Sequence, residues 1–120
     1  MKERIYCIIR YVLALVMLCF ALLQMNDPDP FVWMCSYSLV AIVSVLGTAS
    51  QNRWRIVLGM VYVLLALWMF PEEYHGVGEM NEYRPEIEQA RESLGILMAG
   101  GICFLSSWLY SNASSNSDEN

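Results

Sequence analysis

The sequence is short of charge. Asp, Glu, Lys and Arg make up 16% of its 120 residues, hydrophobic residues 57%, and mean hydropathy is +0.39. A chain of this length has room for one domain. A soluble fold so small buries only part of its chain and would expose much of that apolar surface. Histidine is scarcer still: His75 is alone, in a glycine-bearing loop, and reads as a solvated side chain. No serine–histidine pair, phosphate loop or H-E-x-x-H is present. No motif names a cofactor. Cys7, Cys19, Cys35 and Cys103 form no C-x-x-C pair and bring no second ligand type, which argues against a zinc or disulfide framework. They read as small apolar residues, with Cys7 placed near a membrane boundary where palmitoylation occurs. Basic residues form no stripe, so nucleic-acid binding is set aside.

What the chain has instead is long apolar blocks, at about 5–25, 31–49, 54–70 and 94–110. Each is close to the roughly 20 residues a helix needs to cross about 30 Å of hydrocarbon, the third being the shortest. Lipid offers the backbone no hydrogen bonds, so each block is expected to be a continuous helix. The fold class expected is all-α, a polytopic four-transmembrane-helix bundle over 1–110, with the lipid bilayer as its first partner. The first block starts with Lys2 and Arg4 like a signal peptide, but Arg10 interrupts its core and no small-x-small cleavage site follows. Arg10 is expected to snorkel to the headgroups. The polar tail at 111–120 is expected to be disordered.

The charges are segregated. Lys2, Arg4, Arg10, Arg53 and Arg55 flank the blocks on one side, and the acidic residues of 26–30 and 71–93 fall on the other. By the positive-inside rule both termini face the cytoplasm, in the endoplasmic reticulum or the plasma membrane. Trp33, Trp54, Trp68 and Trp108 fall at block ends, where amphipathic rings favour the headgroup level.

The acidic side holds the candidate site. In Gln24-Met25-Asn26-Asp27-Pro28-Asp29-Pro30 the prolines force Asp27 and Asp29 out of the α region. Pro30 suits the first position of the second helix and Asp29 its N-cap. Pro71 ends the third helix, and Pro85 opens a helical run that carries Glu88, Arg91 and Glu92 into the fourth, projecting it two turns above the membrane. Glu88, Glu92, Gly95 and Ala99 share one stripe, with Gly95 and Ala99 as the small pair that admits a neighbouring helix. If that stripe faces the bundle, Glu92 is aimed at the mouth where Asp27 lies. Arg91 is the natural counter-charge, and an arginine–carboxylate tie between the outer loops is the first expectation. The second is a polar or divalent-cation site drawn from Asn26, Asp27, Asp29, Glu88, Arg91 and Glu92, since carboxylate and amide oxygens are the hard ligands Ca²⁺ and Mg²⁺ take.

The segment Leu23-Gln24-Met25-Asn26-Asp27-Pro28-Asp29-Pro30-Phe31-Val32-Trp33, with Glu88-Gln89-Ala90-Arg91-Glu92-Ser93-Leu94-Gly95 opening the last helix, resembles the transmembrane protein 220 family over roughly 11–110. The resemblance implies a small multi-spanning protein and marks 26–30 and Arg91–Glu92 for attention; it implies no activity. Three functions are in view, in order. The first is a non-catalytic protein that organises or binds membrane partners, or a second copy of itself, through its helices and acidic outer face. The second is a cation- or headgroup-binding protein or transporter subunit using the outer carboxylates. The third is a small membrane enzyme with Asp27 or Glu92 as acid or base, which needs a carboxylate of raised pKa in surroundings that read as too polar and exposed to provide one.

Overall fold

A computed structural model describes residues 1–74, 76, 78 and 84–119. The loop histidine, His75, lies outside them. Among the described residues there are four α-helices: α1 (Lys2–Leu23), α2 (Pro30–Val45), α3 (Ala49–Met69) and α4 (Pro85–Asp118), with a 3₁₀ turn (Gln24–Asn26) between the first two. No strand occurs among the described residues. The helices run alternately up and down, with α1 against α2 and α4, and α3 chiefly against α4. This puts the acidic α1–α2 turn and the start of α4 at one end, the acidic end. The α2–α3 turn and both termini meet at the other, the basic end. The bundle measures 55 × 24 × 21 Å, its length set by the 34 residues of α4.

The surface is what lipid requires. Leu15, Leu22, Phe31, Ile42, Leu64, Leu67 and Phe104 all point outward. By length and composition α1, α3 and α4 can each cross a membrane; α2 is apolar but shorter. The chain is an integral membrane protein, and its interior is narrow. Met17, Val40, Ile96, Ala99 and Cys103 form its centre, with Ala14, Ala21, Ala41 and Ala66 bringing the helices close. Two buried hydroxyls cross between helices: Ser93 Oγ donates to the Ala66 carbonyl at 2.7 Å, and Tyr62 Oη to that of Ser36 at 2.9 Å.

Helix boundaries depart from the expected spans at the basic end. The second was expected through 49, but α2 stops at Val45, and α3 begins at Ala49 behind a capping box. Thr48 Oγ1 accepts from the Gln51 N–H at 3.3 Å while Gln51 Oε1 accepts from the Thr48 N–H at 2.9 Å. Sixteen residues reach only about 24 Å, so the last carbonyls of α2 end below the surface of the bundle. Arginines from both neighbours cap them. Arg10 Nε donates to Ser44 O at 2.8 Å and its Nη2 to Leu46 O, while Arg55 Nε donates to Val43 O at 2.6 Å. Arg10 therefore does not snorkel; it is 6% exposed and Arg55 is fully buried.

The tail also differs from expectation. α4 continues through Asp118, and its polar residues bond back along their own helix. Ser111, Asn112, Ser115, Asn116 and Ser117 each donate to the carbonyl four residues earlier, at 2.8–3.1 Å.

Candidate functional site

The stripe read from helical spacing does face the bundle: Glu88, Glu92 and Gly95 are half-buried and Ala99 is fully buried. Gly95 receives the Tyr37 hydroxyl of α2; a β-carbon there would collide with it. This approach brings the first turns of α4 over the α1–α2 connection.

The connection is stiff. The 3₁₀ turn ends at Asp27, whose backbone is extended (φ −77°, ψ 151°), and the ring of Pro28 fixes the chain direction beyond it. Asp29 occupies the N-cap of α2 with Pro30 behind it, as expected, but its side chain makes no capping bond. Instead the Asp27 carboxylate accepts the Asp29 N–H at 3.4 Å, holding Asp27 on the bundle side of the turn.

Three of the six expected residues come together. Asp27, Glu88 and Glu92, each half-buried, offer carboxylate oxygens within 4.8 Å of one another. Asp29 is exposed and contributes charge from nearby. Asn26 is exposed at the end of the 3₁₀ turn, and Arg91 is half-buried beside Glu92 on the helix.

Trp33 belongs to this site and was placed elsewhere by sequence reasoning. It is 7% exposed rather than spread at the headgroups, and its indole N–H donates to the Glu92 carboxylate. Its place one turn into α2, beside the acidic turn, was the only signal that could have found it.

Glu92 lies outside the expected span at 94–110, and its pKa is pushed up to about 7 from an ordinary 4.5. Burial is the main cause, followed by the like charges of Glu88, Asp27 and Asp29; the Trp33 hydrogen bond works against them. The expectation that these surroundings are too polar to raise a carboxylate pKa fails for Glu92. Three carboxylates this close do not all ionise without help; a proton shared at Glu92, the Arg91 guanidinium or a cation between them can relieve them. Oxygens within 4.8 Å of one another can lie around one ion at the 2.3–2.6 Å that Ca²⁺ prefers. Ca²⁺ takes at least six oxygens, so water or backbone would complete its shell; Mg²⁺ commonly keeps several waters.

The family model described as "Transmembrane family 220, helix" matches residues 16–108, a stretch that takes in the acidic turn and all three converging carboxylates. No curated protein and no solved structure matches the chain.

Proposed function

The chain belongs to transmembrane family 220, and we propose that it is a non-catalytic integral membrane protein whose acidic end takes up a divalent cation. The observation that carries this is the convergence of Asp27, Glu88 and Glu92 from two separate elements. A cation there would tie the α1–α2 turn to the first turns of α4, relieving the mutual repulsion that adds to burial in keeping Glu92 hard to ionise. We also place the basic end in the cytoplasm, since Lys2, Arg4 and Arg53 cluster there.

The test is thermal stability of the purified protein in detergent across Ca²⁺ and Mg²⁺ titrations, for wild type and for Asp27→Asn, Glu88→Gln and Glu92→Gln. A ligand that binds only the folded state raises stability with saturation, by about 2.7 kcal/mol at a hundred times Kd. Wild type is expected to show that rise and each variant to lose it. A flat response in wild type would rule out the cation. The acidic end would then be a proton-sharing cap, and function would lie in partners bound along the helices.

A further inference from the structure

At the basic end, Arg10 and Arg55 share one aromatic ring. Their guanidinium carbons stand 5.3 and 4.9 Å from the centroid of Tyr110 on α4. Two cations over one ring, both buried, form an unusual concentration of positive charge. No carboxylate pairs with either among the described residues; their acceptors are the α2 carbonyls and Asn52. Carbonyl dipoles and the negative end of a short helix offset only part of two full charges.

The donors of Arg55 are unevenly used. Nε holds Val43 O, and Nη1 donates to Asn52 Oδ1 at 2.8 Å. Nη2 is shut off from solvent and meets no acceptor. One helical turn before Tyr110, on the same side of α4, the Ser106 hydroxyl is likewise buried without a hydrogen bond. The edge carrying Nη1 and Nη2 is the fork that a phosphate grips with two parallel bonds, and a neutral amide now holds one tine of it. The amide is weakly anchored: Asn52 is half-buried, and its other contact, Nδ2 to Ser111 Oγ, is 3.4 Å long. Trp54 and Trp108, both exposed, set this end of the bundle at the level of lipid headgroups.

We propose that the Nη1–Nη2 edge of Arg55, backed by Arg10, binds a phosphate oxyanion that displaces Asn52 Oδ1, supplied by an anionic lipid headgroup. The bound phosphate supplies the counter-charge that the arginine pair lacks. Arg10 acts through charge, its own donors staying on the α2 carbonyls.

The experiment is Tm in detergent micelles titrated with phosphatidic acid, with phosphatidylcholine of the same acyl chains, or with inorganic phosphate. Phosphatidic acid is expected to raise Tm with saturation and phosphatidylcholine to leave it unchanged. A rise with inorganic phosphate equal to that with phosphatidic acid would keep the site and make free phosphate its source. Arg55→Lys keeps the charge and loses the fork, so the response should fall at least tenfold in affinity, about the 1.4 kcal/mol equivalent of a lost charge-assisted bond. Because Arg55 also caps α2, Asn52→Ala is the decisive variant. Removing the competing amide should tighten phosphatidic acid binding about tenfold or more, the share of one charge-assisted hydrogen bond. Equal stabilisation by both lipids, or an Asn52→Ala variant with unchanged or weaker affinity, would overturn the proposal.

Discussion

Gly59 of α3 and Gly100 of α4 meet backbone to backbone. A β-carbon on Gly59 would lie 3.2 Å from the Gly100 carbonyl oxygen, and one on Gly100 would lie 3.1 Å from that of Gly59. No side chain separates the two helices at this crossing. Of the adjacent glycines Gly100 and Gly101 only the first is used; Gly101 faces open space.

Gly59→Ala and Gly100→Ala should therefore each cost about 1–3 kcal/mol, the usual range for a methyl forced into a packed interface. Gly101→Ala should be neutral or stabilise by up to about 1 kcal/mol, since alanine is the better helix former. Thermal unfolding of the three variants in one detergent separates these outcomes. Equal losses at all three positions would mean that helix flexibility, and not the crossing, requires glycine.

At Gly95 the obstacle is one hydroxyl group. Gly95→Ala would drive its methyl against Tyr37 Oη, with Tyr37 Cζ behind it at 3.3 Å. The single variant should lose stability, and adding Tyr37→Phe should recover much of the loss, giving a coupling of about 0.5–3 kcal/mol in a double-mutant cycle. Additive effects would show that Tyr37 moves aside at little cost.

The acidic end should titrate. Glu92 has its pKa raised from 4.5 to about 7 in the folded protein. A carboxyl whose folded pKa lies above its unfolded value binds protons more tightly when folded. Stability is then greatest below about 4.5, falls as pH rises from 4.5 to 7, and levels off above. The groups facing Glu92 are Glu88, Asp27, Asp29 and the Trp33 indole. Glu92→Gln should flatten the step in a Tm-against-pH profile in metal-free buffer, and Trp33→Phe should move its midpoint upward by removing the bond that favours the carboxylate. A wild-type profile without a step in this window would contradict the arrangement.

Arg10 holds two carbonyls at the end of α2, one in its last turn and one on its C-cap residue. Arg10→Met keeps the apolar stem but leaves Ser44 O and Leu46 O without their donors, at a cost of roughly 2–4 kcal/mol for lost charge-assisted bonds. Arg10→Lys should recover part of this, because an ammonium reaches one carbonyl well but not the planar pair. Hydrogen exchange at the end of α2 would show the loosening directly. Unchanged protection in Arg10→Met would mean that Arg55 alone caps the helix.

Several of these features are legible in the order of residues. The steps of four, three and four from Glu88 to Ala99 named the buried stripe of α4, since helical spacing alone decides which residues share a face. Pro30 and Pro85 marked two helix starts because a missing N–H is harmless only there. The meeting of Asp27 with that stripe was within reach too, because alternating spans put both at one end. Trp33 was not. Its ring could equally have lain in the headgroups, and only the packing of α2 against α4 turned it inward.

The sequence by itself determined that this is a helical membrane protein with an acidic and a basic end. Those properties are local: apolar length decides what lipid accepts, and a backbone in lipid must bond within its own helix. Tertiary structure decided the rest. The close approach of Gly59 to Gly100, the pKa of Glu92 and the burial of Arg10 and Arg55 each depend on residues far away in the chain. A charged side chain at a helix end can reach water or cap a neighbour, and the sequence is the same in both cases. What chose the cap was the length of α2: a helix too short to reach the surface leaves carbonyls inside, and two arginines are buried to meet them.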